Sequence, residues 1–351
     1  MSNARPVRLT RRGLLAAGGA LGLRAALAAC GDDGGDGGTD SGSGDSTAAA
    51  KSGPFSFEDD RGTTVKLAEV PGSIVAFTGV AAALYDYGVE VKGVFGPTKD
   101  KDGKADVQAG DLDITKVTII GNTWGAFNIE KYAALSPDVL ITTTFDAAGT
   151  LWYVPEESKD KIAKLAPSIA VSCYDRQLTT PLAHMAALAE KLGADLKSAK
   201  VVAAKKRFED ASARLRAAAK AHPDIKVLVG SAADSVFYVS GSDLSVDLEY
   251  YKALGVNFVE PSKKAMAKYG GWYESLSWEN VDKYAADVIM MDDRSAAIQP
   301  ADITEATWKK LPAVKAGQVI ARSAEPILSY DKCTPMVESL AKAIETAEKV
   351  G

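Results

Sequence analysis

Short apolar runs that alternate with amphipathic stretches predict an α/β protein over most of the chain. Runs rich in Ile, Val and Phe predict strands at residues 73–77, 91–95, 117–120, 138–143, 168–173, 225–229, 236–239, 287–291 and 318–322. Segments with a helical spacing of apolar residues predict helices at 80–87, 129–135, 156–165, 248–254, 277–284, 304–311 and 335–350. Strands and helices in alternation are typical of sheets covered by helices.

A helical region in the middle of the chain interrupts this alternation. Residues 181–192 predict one helix and residues 195–222 a second, unusually long one. A single apolar stripe runs along the long helix at Val201, Ala204, Phe208, Ala211, Leu215 and Ala218. We therefore predict an N-terminal lobe at 54–180, connecting helices at 181–222 and a C-terminal lobe at 223–351, with the long helix as a strut that joins two α/β lobes.

Two internal similarities indicate that the lobes are related. Residues 129–140 resemble residues 278–289, and in both segments a glutamate lies eight residues before an Asp-Val pair that opens a strand. Residues 84–89 likewise resemble 250–256, each with a Gly-Val pair after a helix. The two similarities occur in the same order along the chain, which favours a repeated lobe over chance.

The first thirty residues have the pattern of an export signal. Four arginines between positions 5 and 12 precede an apolar stretch of about sixteen residues that ends in Leu-Ala-Ala-Cys at Cys30. This stretch is shorter than the roughly 20 residues that a membrane-spanning helix needs. It resembles a bacterial lipoprotein signal peptide over residues 1–29, which implies lipidation of Cys30. The pair Arg11-Arg12 also resembles a twin-arginine signal, and an ordinary basic region is the alternative.

The residues after Cys30 agree with a membrane anchor. Residues 31–52 are nearly all Gly, Asp, Ser, Thr and Ala, so we expect 30–53 to form a lipidated, flexible tether. Cleavage before Cys30 removes five arginines and leaves 36 basic and 46 acidic residues, a net charge of about −10. An acidic protein is a poor partner for nucleic acid. We expect an extracytoplasmic protein held at the cell membrane by its lipid.

From about residue 57 to the C-terminus, the order of motifs resembles the helical-backbone class of ABC-transporter substrate-binding proteins, of the iron-siderophore-binding lipoprotein type. The segments that carry the resemblance are 59–67, 71–76, 84–94 and 128–141, followed by the long helix. It implies that two lobes hold a ligand in the cleft between them and that the strut limits hinge motion. It also implies a monomer that delivers its ligand to an ABC permease with its ATPase subunits.

Two glutamates fall on the positions that this class uses to dock on the permease. Glu130 and Glu279 each begin a predicted helix, one in each lobe. In the family the two residues pair with permease arginines, a contact that carboxylates make well. A glutamate in the first turn is also favoured by the helix dipole alone, but a matched pair on related lobes favours docking.

Aromatic and arginine side chains follow several predicted strands. Ligand sites of open α/β sheets lie beyond the carboxyl ends of the strands. Aromatic rings cover the carbon frame of a bulky chelate, and arginine donates to its oxygen atoms. The candidate ligand-binding residues are Trp124, Trp152, Tyr153, Trp272, Tyr273, Arg294 and Tyr330. Packing in the core is the alternative role for each aromatic residue.

The ligand class follows from the few basic residues among these candidates. The family often has an arginine six residues before the first docking glutamate, and this chain has Trp124 there. We therefore expect a neutral or cationic ferric hydroxamate, similar to a ferrioxamine, with haem or cobalamin as the alternative. The only histidines, His184 and His222, fall in the helical region. We expect no direct metal site and no cofactor, and iron bound only as its siderophore chelate.

Motifs typical of enzymes are missing from the sequence. It has no Gly-x-Ser-x-Gly elbow and no phosphate-binding Gly-x-x-x-x-Gly-Lys, so we do not expect an enzyme.

Two cysteines remain besides Cys30. An exported protein permits a disulfide between Cys173 and Cys333, and each can equally be a small buried residue. The sequence leaves both possibilities open.

Overall fold

The computed structural model describes residues 53–351, so the predicted signal peptide, Cys30 and nearly all of the predicted tether lie outside the described residues. The strands are β1 (Phe55–Glu58), β2 (Thr64–Leu67), β3 (Ile74–Phe77), β4 (Gly93–Phe95), β5 (Thr118–Gly121), β6 (Val139–Thr144), β7 (Ser168–Ser172), β8 (Lys226–Ala233), β9 (Val236–Ser240), β10 (Asn257–Val259), β11 (Tyr273–Ser277), β12 (Val288–Asp292) and β13 (Val319–Arg322). The α-helices are α1 (Thr78–Asp86), α2 (Ile129–Ala134), α3 (Lys159–Leu165), α4 (Thr179–Lys191), α5 (Ala199–Ala221), α6 (Val246–Ala253), α7 (Lys263–Met266), α8 (Ala306–Lys310), α9 (Pro312–Lys315) and α10 (Tyr330–Thr346). None of the helices in this range is long and apolar enough to cross a membrane.

Five parallel strands form the first sheet, in the order β5-β4-β3-β6-β7. The central strand β3 is buried along its whole length, as expected for a parallel strand covered on both faces. Helix α1 follows β3 directly and ends at Asp86; Tyr87 is its C-cap, and Gly88 then takes a left-handed conformation with φ of 84°. The predicted strand and helix in this part of the chain are confirmed.

The second sheet is mixed. Its order is β11-β9-β8-β12-β13, with β10 beside the first part of β8. Strands β10 and β12 are parallel to β8, and β13 is parallel to β12. Only Asp234 and Ser235 separate β8 from β9, and this two-residue hairpin makes β9 antiparallel to β8.

The two sheets repeat one arrangement, in agreement with the predicted relation between the lobes. The strand arrangements β4-β3-β6-β7 and β10-β8-β12-β13 correspond, with each strand parallel to its neighbour, and the repeated aspartates make equivalent hydrogen bonds. Asp138 accepts the backbone N–H groups of Gly72 (2.9 Å) and Ser73 (2.8 Å), just before β3. Asp287 accepts the N–H of Lys226 (2.8 Å), the first residue of β8. The aspartate of each Asp-Val pair therefore fastens its own strand to the central strand of its sheet.

Helix α5 contacts both lobes, as predicted for the strut. The ring of Phe208 on α5 stacks on the ring of Tyr250 on α6, on the side of the second sheet, with 5.8 Å between the ring centroids. Near its N-terminus, Val201 lines a small cavity together with Tyr87, at the end of α1. The predicted apolar stripe is buried, namely Val201, Ala204, Phe208, Ala211, Leu215 and Ala218. Helix α10 packs along α5, so two long helices connect the lobes.

Two helix predictions were wrong in detail. In place of the helix predicted at 277–284, Trp278–Lys283 form a short 3-10 helix that is interrupted at Asn280, whose φ of −108° is not helical. Helix α10 begins five residues before the predicted start at Pro335. The reason is the side chain of Ser329, which caps the helix by accepting a backbone N–H of the first turn (3.2 Å).

Four strands were not predicted, namely β1, β2, β10 and β11. Each has only three to five residues, and β1 and β2 alternate apolar with polar side chains, so the apolar signal of these strands is weak. Asp59 holds the β1–β2 hairpin on the first sheet by accepting the N–H of Ala170 in β7 (2.9 Å). Strand β11 begins at Tyr273, in a segment for which the sequence predicts neither a strand nor a helix.

Candidate ligand cleft

Five rings at the carboxyl ends of the first sheet form the N-lobe aromatic cluster, defined as Phe77, Trp124, Phe145, Trp152 and Tyr153. Trp124 lies 4.8 Å from Trp152 and 5.0 Å from Tyr153, measured between ring centroids. Phe77 stacks on Tyr153 (5.3 Å), and Phe145 meets the edge of Trp152 (4.9 Å). These residues end or follow β3, β5 and β6, and the ends of parallel strands meet at one edge of a sheet. The structure thus brings together three predicted ligand residues.

The loop after β5 displays Trp124 at the surface. A side chain at Gly121 would lie 1.2 Å from the carbonyl oxygen of Ala126, so the loop can close on itself only around a glycine. Gly125 then turns with φ of 76°. Trp124 is 63% exposed, which is unusual for an indole ring and makes it available to a ligand.

Tyr153 and Trp152 are held by the backbone after β6. Tyr153 has φ of 59°, a left-handed conformation that costs free energy for a tyrosine and is common at functional sites. The N–H of Trp152 donates to Thr143 (3.0 Å), and its carbonyl accepts the hydroxyl of Thr142 (2.9 Å). Burial raises the pKa of Tyr153 to about 12, so its hydroxyl is neutral and able to donate.

A second set of rings, the C-lobe aromatic group, consists of Tyr238, Tyr269, Trp272 and Tyr273. Tyr273 on β11 lies 4.8 Å from Tyr238 on β9 and 4.8 Å from Tyr269. Trp272 approaches Tyr174, which follows β7 of the first sheet, at 6.5 Å. Of the two predicted residues in this group, Tyr273 packs within the C-terminal lobe, and Trp272 lies where the two lobes approach each other.

Arg294 follows β12 and is held by two carboxylates of the C-lobe. Asp292 accepts from Nε (3.0 Å) and Nη2 (2.7 Å) of Arg294, and Glu325 forms an ion pair with Nη1. Burial alone would lower the pKa of Arg294, but these two carboxylates outweigh it and raise the pKa. Burial would raise the pKa of Asp292, yet the hydrogen bonds and charge of Arg294 hold it below its ordinary value. The charge of Arg294 is thus already neutralised within the protein.

Glu325 and Gln108 link the lobes, and the sequence analysis missed both. The carboxylate of Glu325 accepts from Nε2 of Gln108 (2.7 Å) and from Nε1 of Trp152 (3.0 Å). Glu325 follows β13 by three residues, so the rule that selected Arg294 could have selected it. No local pattern marks Gln108, which lies on a short 3-10 helix 217 residues away in sequence.

An open cavity of about 160 Å³ lies next to these residues. Its lining comes from both lobes and from α10, namely Val107, Gln108, Gly110, Asp293, Arg294, Ser323, Glu325, Ile327, Lys332 and Met336. Sites for drug-sized ligands measure roughly 300–1,000 Å³. The cavity alone is therefore smaller than a typical ligand site.

Tyr330 is not with the other candidates. Its ring packs against Phe208 at 5.8 Å, and the ammonium of Lys205 lies 6.0 Å from the ring centroid. Both partners are on α5, because α10 starts at Tyr330 and turns the side chain toward the neighbouring long helix. The structure places the ring of Tyr330 where the two long helices pack together, and its role in ligand binding stays a prediction.

The predicted docking residues lie at the surface, one in each lobe. Glu130 is exposed in the first turn of α2, after Asn128, which caps the helix by accepting the N–H of Lys131 (2.8 Å). Glu279 is exposed in the first turn of the 3-10 helix, and a hydrogen bond from Ser277 lowers its pKa. Both carboxylates are therefore accessible from solvent.

Three carboxylates, those of Asp86, Asp111 and Asp331, approach one another closely enough to hold a metal ion. Each already has a protein donor. The hydroxyl of Ser329 donates to Asp86 (2.5 Å), Lys332 pairs with Asp111 (2.6 Å), and Arg207 pairs with Asp331 (2.6 Å). The cluster fits ion pairing at the start of α10 better than metal binding.

Cys173 and Cys333 are both free and buried, which decides between the two possibilities that the sequence left open.

The model of the periplasmic binding protein family matches residues 74–326, more than two thirds of the chain. The chain belongs to this family. It is similar to DesE, a ferric-siderophore receptor protein of Streptomyces coelicolor, with 74% identity and a TM-score of 0.84 over 85% of this chain and 100% of that chain. It is also similar to FhuD, the iron(3+)-hydroxamate-binding protein of Bacillus subtilis, with 27% identity over 86% of this chain and 87% of FhuD.

Other members share the fold at lower identity. The petrobactin-binding protein YclQ of Bacillus subtilis has 18% identity and a TM-score of 0.59, over 84% of this chain and 99% of that chain. The predicted resemblance to ABC-transporter substrate-binding proteins is confirmed, as is the two-lobed α/β fold with its long helix. Periplasmic binding proteins bind solutes and are not enzymes, in agreement with the sequence analysis. As the family name indicates, they act outside the cytoplasm.

Proposed function

We propose that this protein captures a ferric hydroxamate siderophore outside the membrane and delivers it to the permease of an ABC importer. The observation that carries the proposal is the aromatic lining at the strand ends of both lobes, next to an arginine already neutralised by carboxylates. DesE and FhuD support the ligand class by what their names say they bind.

The charges of the cleft favour a neutral or cationic chelate. Arg294 has two carboxylate partners, Asp292 and Glu325, and a third carboxylate, Asp293, lines the same cavity. Burial raises the pKa of Asp293 and disfavours its charged form, so the excess of negative charge over Arg294 rests on Asp292 and Glu325. An anionic triscatecholate complex would meet these carboxylates without a surplus of cations, since like charges repel at short range. A ferric hydroxamate gains from the aromatic rings and does not need such a surplus.

Iron is proposed to arrive as its chelate and not as a free ion. The sequence has two histidines. His184, on α4, pairs with Asp60 (2.7 Å), and His222 is the C-cap residue of α5. Neither belongs to the aromatic groups described above. Haem, the alternative ligand, commonly takes a histidine as its axial partner, so the siderophore is favoured.

Delivery and anchoring complete the proposal. Glu130 and Glu279 are proposed to pair with arginines of the permease, because both are exposed and each lies on a different lobe. Cys30 is proposed to carry the lipid, and residues 31–52 to form the tether that gives the monomer freedom to reach the permease.

Quenching of tryptophan fluorescence tests the ligand class, since Trp124, Trp152 and Trp272 lie in the proposed site. Purified residues 53–351 are titrated in parallel with ferrioxamine, iron-free desferrioxamine, a ferric triscatecholate, haem and cobalamin. We expect saturable 1:1 quenching by ferrioxamine and at least tenfold weaker binding of each other ligand. Tight binding of only haem or cobalamin, or of free ferric iron, would contradict the proposal.

A further inference from the structure

The carboxylate of Glu325 is shared between the two lobes. It accepts from Gln108 (2.7 Å) and Trp152 (3.0 Å), which belong to the N-terminal lobe, and it pairs with Arg294 of its own lobe. We name these four residues the interlobe latch. Glu325 is 7% exposed and Gln108 is 4% exposed, so both groups depend on these partners and not on water.

The partners of Glu325 are themselves held firmly. The 3-10 helix that carries Gln108 is capped by Asp106, which accepts the N–H of Gln108 (2.9 Å). Two backbone hydrogen bonds hold Trp152 to β6, and Asp292 accepts a hydrogen bond from Nη2 of Arg294. Because each partner is hydrogen-bonded within its own lobe, a change in the spacing of the lobes has to break or stretch the bonds to Glu325.

We propose that Glu325 is a positioning residue that fixes the spacing of the lobes and orients Trp152 and Arg294 for the ligand. The indole N–H of Trp152 is turned toward Glu325, and this places the ring against Trp124 and Tyr153. A single carboxylate therefore couples the N-lobe aromatic cluster to the arginine of the C-lobe. The part of the inference that concerns lobe spacing is independent of the proposed ligand, and the part that concerns affinity rests on the proposed function.

The two sides of the latch permit an exchange of side chains. Gln108→Glu places two carboxylates face to face and should push the lobes apart, because like charges repel. Gln108→Ala removes the amide without adding a charge. The double variant Gln108→Glu/Glu325→Gln restores an amide opposite a carboxylate, and Arg294 keeps Asp292 as its partner. Glu274→Gln is the matched control, since Glu274 pairs with Lys283 and Tyr284 inside the C-terminal lobe.

The spacing of the lobes is measured without ligand. Spin labels at Glu157→Cys and Asp282→Cys, two exposed positions on opposite lobes, report a distance distribution by pulsed electron resonance; Cys173 and Cys333 are buried and should not react. We expect Gln108→Glu to lengthen and Gln108→Ala to broaden the distribution. The double variant should return toward the unsubstituted protein, and Glu274→Gln should match it.

Affinity for ferrioxamine is measured on the same variants, with circular dichroism as the check of folding. We expect both single substitutions at Gln108 to weaken binding at least tenfold and the double variant to recover most of the loss. Unchanged distances in both single variants, or a double variant no closer to the unsubstituted protein than Gln108→Glu, would overturn the latch. If the distances respond as expected but the unsubstituted protein does not bind ferrioxamine, the proposed function fails and the latch stands.

Discussion

Single side chains of the cleft differ in how much of the fold depends on them. Trp124 is largely exposed, so Trp124→Ala should leave the free energy of unfolding nearly unchanged. It should weaken ferrioxamine binding by roughly tenfold, about 1.4 kcal/mol, because the ring covers part of the chelate. Fluorescence titration and urea unfolding measure the two effects. Tyr85→Ala, at a 40% exposed tyrosine on α1, is the control and should alter neither. Equal affinity of the Trp124 variant and the wild type would remove Trp124 from the site.

Arg294, unlike Trp124, should contribute to the stability of the fold, because two buried carboxylates pair with it. Hydrogen bonds to charged groups contribute about 1.5–3 kcal/mol, and Arg294 is partly exposed, so Arg294→Ala should lower the free energy of unfolding at pH 7 by roughly 1.5 kcal/mol. The pKa of Asp292 is lowered in the folded protein. Its contribution is therefore complete above the unfolded pKa near 3.9 and is lost as the pH falls through the folded pKa.

The difference in stability between wild type and Arg294→Ala should consequently shrink below about pH 4. Urea unfolding at pH 7, 5 and 3.5 gives this dependence, with Arg216→Ala on the exposed face of α5 as the control. A difference that stays constant over this range would show that Asp292 does not need the arginine.

At the scale of elements, the short helices that carry Glu130 and Glu279 are repeated features of the two lobes. Replacing both glutamates by alanine should leave ferrioxamine affinity within about twofold, since neither residue contacts the aromatic groups in the described part of the chain. Iron uptake should fall sharply, because two charge-assisted contacts contribute roughly 1.5–3 kcal/mol each. Uptake of ferrioxamine iron in a strain without the wild-type copy measures the second effect.

The control for this prediction is Glu157→Ala/Asp282→Ala, which removes two exposed acidic groups, one from each lobe. It keeps the same net charge as the docking variant and should sustain uptake. Loss of ligand binding in the docking variant, or equal uptake by both variants, would contradict the assignment of Glu130 and Glu279.

At the scale of the whole molecule, the expected lipid on Cys30 determines where the binding domain works. Cys30→Ala removes the only thiol to which the lipid can attach in that segment, so the protein should leave the membrane fraction or remain an unprocessed precursor. Fractionation followed by immunoblotting measures this. Purified Cys30→Ala protein should bind ferrioxamine like the wild type. A processed variant that still sediments with membranes would exclude Cys30 as the anchor.

The sequence determined the features that depend on local spacing. The stripe of apolar residues on α5 is buried as its helical periodicity predicted, because neighbouring turns place those residues on one side of any helix. The apolar runs of β3 and β6 are buried strands for a similar reason. Trp124, Trp152 and Tyr153 were found because they follow strands that end at one edge of a parallel sheet.

Tertiary structure alone decided which distant groups meet. Glu325 accepts from Gln108 across 217 residues, and neither residue has a local pattern that selects the other. Tyr330 follows a strand in sequence, yet the cap at Ser329 starts α10 early and turns its ring to α5. Whether an arginine is available to a ligand also depends on the carboxylates that folding brings to it. Arg294 already pairs with Asp292 and Glu325. Periodicity fixes the face of an element, whereas the pairing of charged groups depends on packing between elements.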